Sequence, residues 1–187
     1  MDLQKFGIKL YLNANGSFDA TDFIPVFHRW IQDKVVDDHL LIDVADYSHI
    51  PDGPGIMLVA HEGNISLDQK NHQPGIMYMR KTEMNGNFKE RFNTVLITTI
   101  QVAQRLQNNN INKNIDFVNN SFCFIANDRR LAENTLKNQN LYQDKVQQAL
   151  AEVYPASGVD CESISSNNER LAFNVNFNKD INILKKN

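Results

Sequence analysis

Apolar side chains recur at every second position near the start of the chain. Phe6, Ile8, Leu10 and Leu12 alternate with Lys5, Lys9 and Tyr11. A period of two marks a strand with one buried face, and the turn-prone Asn13-Ala14-Asn15-Gly16 closes it. The period then changes. Phe23, Phe27, Trp30 and Ile31 fall on one helical face, with Thr21 or Asp22 as a cap and Pro25 in the first turn. His28 and Arg29 read as its solvated flank. Leu40–Val44 is apolar on both faces apart from Asp43, the pattern of a strand covered on both sides. A carboxylate in such a strand must be paired, hydrogen-bonded or protonated.

Ile56–Ala60 reads as the next strand and Gln73–Lys81 as a third, antiparallel to it across the polar loop Ser66–His72. Met84-Asn85-Gly86-Asn87 is a turn. Phe88, Phe92, Val95, Leu96, Thr99, Ala103 and Leu106 then follow a helical period, and Gln107–Asn114 ends that helix. Ile115–Ala126 is strand-like with a break at Asn119-Asn120, placing Phe122 and Phe124 on one face and Cys123 and Ile125 on the other. A last helix carries Tyr142, Val146, Ala149, Leu150 and Val153 and stops at Pro155. After the loop Ala156–Asn168, the alternation of Leu171, Phe173, Val175 and Phe177 predicts a terminal strand.

Consecutive strands between helices imply a two-layer α+β fold, a mainly antiparallel sheet of about six strands with about three helices packed on it. Nothing repeats and no Pro/Ser-rich linker divides the chain, so residues 1–187 read as one domain with a short tail over 180–187. Composition adds boundaries to this picture. The chain is 42% hydrophobic and 22% charged, ordinary for a globular protein. A net charge of -3, with Lys and Arg scattered and only Lys185 and Lys186 paired near an end, argues against a general nucleic-acid binder. Cys123 reads as a small buried hydrophobe and Cys161 as a free, exposed thiol in a polar loop, which suits a reducing compartment. The N-terminus lacks the continuous apolar region of a secretory signal, and no apolar run approaches the roughly 18 residues of a membrane span. A cytoplasmic protein with no membrane partner is expected.

The densest polar cluster lies between and just after the strands Leu40–Val44 and Ile56–Ala60. Asp46, Tyr47, His49, Asp52, Gly53 and Gly55 fill the connection, while His61, Glu62 and Asn64 follow the second strand. Pro51 and Pro54 stiffen the loop and would keep polar side chains in place. Imidazole with carboxylate suits a transition metal, but His61 and Glu62 point to opposite faces of a strand and lack a helical HExxH partner. No metal is assigned. Gly53-x-Gly55 is followed by a strand and not a helix, so neither the P-loop nor the dinucleotide fingerprint is present. Any cofactor stays unknown at this point. Backbone N–H groups in the loop, with Arg80 on a neighbouring strand, suit an anion. Asn127-Asp128-Arg129-Arg130 forms a second polar patch.

The leading expectation is a module that binds a small polar or anionic ligand through Asp46, Tyr47, Gly53, Gly55, Glu62, Asn64 and Arg80. A second reading is a hydrolase or isomerase with His49 or His61 as general base and Asp52 as its carboxylate. A third is a homo-oligomerisation domain that uses a strand edge or helix face.

Overall fold

The computed structural model describes residues 2–13, 19–109, 115–155, 157–166, 168–179 and 182–184. The strands are β1 (Phe6–Tyr11), β2 (Leu41–Tyr47), β3 (Gly55–Ala60), β4 (Gly63–Asp68), β5 (Gly75–Arg80), β6 (Ser121–Ala126), β7 (Val159–Ser163) and β8 (Ala172–Phe177). The helices are α1 (Ile24–Asp33), α2 (Phe88–Gln107) and α3 (Leu136–Val153). The strands form one sheet in the order β2-β3-β4-β5-β1-β6-β8-β7, and every ladder is antiparallel. The protein is therefore α+β, with one antiparallel sheet and three helices.

All three helices share one apolar cluster with one face of the sheet. The period-two residues of β1, Phe6, Ile8 and Leu10, are completely buried beneath them. At the centre, Phe6 stacks on Phe124 at 5.4 Å and Phe124 on Phe173 at 4.9 Å between ring centroids, while Phe88 of α2 lies 5.6 Å from Phe6. Antiparallel register makes this layer continuous, because Ile8 faces both Tyr78 and Phe124 across its two ladders. The α2 helix that covers the layer starts in a capping box. The Asn87 carboxamide accepts from Glu90 N at 3.0 Å, and Glu90 Oε2 accepts from Asn87 N at 2.8 Å. Gly86 precedes the box with φ of 88°, a conformation that favours glycine. Asp19 caps a 3-10 turn over Ala20–Phe23, so the first cap lies before Thr21 and Asp22, and Pro25 sits in the first turn of α1 as expected.

The sheet has eight strands where the sequence pattern predicts about six. One omitted strand is β4, which occupies the stretch read as the turn Glu62-Gly63-Asn64 and the start of a polar loop. Its Ile65 and Leu67 do alternate with Asn64, Ser66 and Asp68, but Ser66 and Asp68 are buried although polar, and that hid the strand. The third predicted strand accordingly pairs with β4 and β1, not with Ile56–Ala60. The other omission is β7, inside the stretch read as a loop. Its Val159 and Cys161 alternate with exposed Asp160 and Glu162 in only five residues. Cys161 is thus a half-buried strand residue with a free thiol.

The strand read as covered on both faces, β2, lies at one edge of the sheet. Leu40 is 64% and Ile42 56% exposed, and Asp43 is exposed, so no buried charge arises there. Instead Asp43 Oδ1 accepts from Val44 N at 2.8 Å, beside a register shift between Leu41 and Asp43. An edge charge and an irregularity of this kind discourage strand addition. The turn residues Ala14 to Gly16, part of the loop 107–114 and the pair Lys185 and Lys186 lie outside the described residues. Among the described residues no helix is long and apolar enough to cross a membrane.

Because Phe124 is completely buried between β1, α2 and β8, Phe124→Ala should destabilise the protein by about 3–5 kcal/mol. Leu40→Ala, at an exposed edge, should change stability by no more than about 0.5 kcal/mol. Urea midpoints with unchanged slopes measure both.

Candidate functional site

The sheet face without helices carries the other half of each strand's alternation. Across neighbouring strands, Lys9 of β1 stands opposite Met77 of β5 and Cys123 of β6, and Cys123 opposite Asn174 of β8. Lys9 is only 4% exposed and Asp68, at the end of β4, only 7%. Their side chains form an ion pair, Lys9 Nζ to Asp68 Oδ2. Two connections crowd this end of the face. The link from β4 to β5 contains a short turn, Lys70–His72, with Asn71 and His72 at φ of 59° and 55°. The link from β7 to β8 contributes Ile164, Ser165, Glu169 and Arg170. Lys70 and Glu169 join the two links through an ion pair of 2.9 Å, and Glu169 Oε2 also accepts from Ser166 N at 3.0 Å. Between them lies a cavity of about 70 Å³ whose lining includes Lys9, Tyr11, Asp68, Lys70, Cys123 and Arg170.

The electrostatics of this cavity follow from its depth. Burial pushes the Tyr11 hydroxyl far above its ordinary value of 10.0, and Tyr11 Oη donates to Asn174 Oδ1 at 2.7 Å. Burial also pushes the Cys123 thiol up to about 12. A thiol with that value is not ionised near neutral pH and does not act as a nucleophile. Glu169, at the mouth, behaves oppositely: its ion pair with Lys70, followed by the Ser166 amide, holds its carboxyl down at about 2. Arg170 Nη1 donates to Asn127 Oδ1 at 2.9 Å. The lining thus carries the cations Lys9, Lys70 and Arg170 against the carboxylates Asp68 and Glu169, a positive excess in a chain of net charge -3.

The residues predicted from sequence divide between two ends of β3. At one end, the hairpin joining β2 to β3 holds Asp46, Tyr47, His49, Asp52, Gly53 and Gly55. Asp46 Oδ1 accepts from Ser48 N at 2.8 Å, and hydrogen bonds from Ser48 keep its carboxyl below the usual carboxylate range. Asp52, at φ of 54°, accepts from Asn71 N at 3.0 Å and so ties the hairpin to the turn beside the cavity. Gly55 has φ of 63°, and a Cβ there would sit 2.2 Å from Leu67 O, so only glycine fits. Ser48, Asp52, Gly53 and His72 help to line an open groove of about 340 Å³. Tyr47 and His49 are exposed.

At the other end lie His61, Glu62, Asn64 and Arg80. His61 is exposed. Burial raises Glu62, but the Leu40 amide it accepts at 2.8 Å and the nearby His39 and His61 outweigh that and leave it below its ordinary value. Asn64 Nδ2 donates to Met57 Sδ at 3.2 Å. Arg80 donates to Tyr78 Oη and to Thr82 O, each at 3.3 Å, and His39 Nε2 meets the same hydroxyl at 2.6 Å. The length of β3 separates the two groups by roughly 20 Å, at about 3.3 Å per residue. His49 and His61 therefore do not share a site, and Arg80 does not reach the hairpin. The Asn127–Arg130 patch follows β6, with β4, β5 and β1 between β6 and β3, and it meets Arg170 through Asn127, not the hairpin. Among the described residues no group of three or more His, Cys, Asp or Glu is placed to hold a metal ion.

Lys9, Tyr11, Asp68, Lys70, Glu169 and Arg170 are absent from the sequence-predicted site. Lys9 and Tyr11 read as the wet face of a half-buried strand, and only the central place of that strand in the sheet buries them. No protein-family model and no curated protein matches the chain.

Two outcomes follow. Lys9→Ala strands a buried carboxylate and should destabilise by about 3–5 kcal/mol, whereas Lys9→Met with Asp68→Leu should be neutral or stabilising, both read from urea unfolding. Glu169 titrates at about 2, below its ordinary 4.5, so the stabilisation from its ion pair is complete above pH 4.5 and disappears as pH falls through 2. Carboxyl carbon NMR should give a Glu169 midpoint near 2, and Lys70→Ala should move it upward toward 4.5.

Proposed function

We propose that the protein binds a small anionic group, a carboxylate or phosphate, in the cavity over Lys9 and Asp68. The observation that carries this reading is the buried Lys9–Asp68 pair on the sheet face that, among the described residues, no helix covers. A buried ion pair contributes little to stability compared with apolar residues of similar volume, so a fold gains nothing obvious by placing one there. A polar pocket with convergent charged groups gains a means of orienting a ligand. Lys70 and Arg170 at the mouth add the positive charge that an anion needs.

Volume narrows the class. A cavity of about 70 Å³ holds on the order of five waters, so it accepts the head of a ligand and leaves the remainder outside. A groove of about 340 Å³ at the β2–β3 hairpin is tied to the same turn by Asp52 and Asn71, and we propose that the remainder extends toward it. The reading thus keeps the expected ligand class, Gly53 and Gly55, gives Asp52 a place in the groove wall in place of its expected catalytic role, and moves the charged contact to Lys9, Lys70 and Arg170. A catalytic role for His49 or His61 has less support, because each ring is exposed and the two stand at opposite ends of β3.

Thermal unfolding in the presence of phosphate, small dicarboxylates and phosphosugars tests this proposal. One of these should stabilise the protein by about 2.7 kcal/mol at a hundredfold excess over its dissociation constant. The Lys9→Met, Asp68→Leu variant should keep its own stability and lose that response. A response that persists unchanged in the variant, or none in the wild type, overturns the assignment; dependence of mass on protein concentration instead would favour an assembly role.

A further inference from the structure

Among the described residues, five charged side chains line the anion cavity, and four of them are already paired. Lys9 holds Asp68 and Lys70 holds Glu169, which leaves Arg170, whose guanidinium donates to the Asn127 carboxamide. An entering anion therefore finds one cation unclaimed by a carboxylate, and a second must come out of one of the two pairs. The pairs differ in how readily they give one up. The Lys9 and Asp68 side chains are 5% and 10% accessible, so separating them would leave each charge buried alone. Lys70 and Glu169 are each 43% accessible, and water hydrates whichever group is released. The outer pair yields first.

Glu169 can let go at one oxygen while staying held at the other. Its Oε1 accepts from Lys70 Nζ at 2.9 Å, whereas Oε2 accepts from Ser166 N at 3.0 Å and from Ser166 Oγ at 3.1 Å. Losing Lys70 thus leaves the carboxylate anchored and hydrated. Across the mouth, the backbone beside Lys70 is tied down. Asn71 N donates to Asp52 Oδ1 at 3.0 Å, and Gln73 N donates to Lys70 O at 3.2 Å. Side-chain rotation is therefore enough for the exchange. The Glu169 carboxyl, held down at about 2, stays ionised at neutral pH, so a ligand has to displace it as an anion. A tethered carboxylate competes at high effective concentration, which shuts out weak anions that make a single contact.

We propose that Glu169 gates the anion cavity as an internal competitor: its carboxylate holds the Lys70 ammonium until a bound carboxylate or phosphate takes that cation and joins it to Arg170. This inference rests on the anion-binding reading and adds to it the group that the ligand displaces. It also narrows the ligand to an anion with two acceptor oxygens, one for Lys70 and one for Arg170.

Inorganic phosphate and acetate, titrated at pH 7 and constant ionic strength into ¹⁵N-labelled full chain, test the gate. Both should shift the amides of residues 70–71 and 169–170 saturably in the wild type. Glu169→Gln should bind them about fivefold more tightly, the effect of releasing one exposed ion pair. Lys70→Met should weaken binding, and on that background Glu169→Gln should bring no gain, because the gate acts only through Lys70. Unshifted amides along α2 report that each variant is folded. An equal gain on both backgrounds means that Glu169 merely repels anions, and overturns the gate. So does an affinity that Glu169→Gln leaves unchanged while Lys9→Met with Asp68→Leu abolishes it; the anion reading then stands without the gate. Saturable shifts in none of these chains overturn the reading and the gate together.

Discussion

A charged pair, Lys9 with Asp68, lies buried on the face of the sheet that no helix covers among the described residues, and the arrangement of that face depends on it. An ammonium and a carboxylate taken out of water are tolerated only when each has the other and when geometry holds them together. Here the holding is done by register. The β1–β5 and β4–β5 ladders place Lys9 opposite Met77 and Asp68 opposite Gly75, with Tyr11 also opposite Gly75, so the two charges converge over a position with no side chain. A Cβ on Gly75 would lie 2.8 Å from Lys9 Cε, and glycine there leaves the lysine its path. The opposite face can be apolar because its helices exclude water; among the described residues this face has two connections to do so.

Those connections bind together what the sequence separates widely. Lys70 and Glu169 are 99 residues apart, and Asp52 and Asn71 belong to different hairpins. The result is a polar end of the sheet in which the β4–β5 turn and the β7–β8 link meet around one cavity, with the β2–β3 hairpin tied to that turn through Asp52 and Asn71. Charges grade outward from the fully paired Lys9 and Asp68 to Lys70, Glu169 and Arg170 at the mouth. Buried hydroxyl and thiol groups nearby, Tyr11 and Cys123, are driven toward their neutral forms by the same low-dielectric surroundings. The chemistry we propose for the site is therefore recognition by charge and hydrogen bonds, with no activated nucleophile at Cys123.

Much of the helical face was legible from alternation alone. Phe6, Ile8 and Leu10, the α2 stripe and the Phe122–Phe124 pairing require only periods of two and 3.6, and apolar burial enforces them. Two strands escaped because their polar halves carry as much of the pattern as their apolar halves. In β4, buried Ser66 and Asp68 look like loop residues until a partner lysine three strands of sequence away is known. Position within the sheet was also hidden: Leu40–Val44 reads as a covered strand, yet it forms an edge, and its exposed leucine and isoleucine are what misled the pattern. The turn at the hairpin glycines and Asp52 was legible because turn chemistry is local. Lys9, Lys70, Glu169 and Arg170 were not, since what makes them a group is tertiary pairing, which no spacing along the chain encodes.

The account rests on Lys9 being buried and held by Asp68, and NMR of lysine ammonium groups tests that most directly. Ammonium protons of exposed lysines exchange with water too quickly to give ¹⁵N-correlated signals at neutral pH. Lys9, at 4% exposure and paired to Asp68, should give a persistent Nζ cross-peak at 25 °C that disappears in Asp68→Leu. A Lys9 ammonium that exchanges as fast as the surface lysines would contradict the burial of the pair, and with it the cavity that the pair defines.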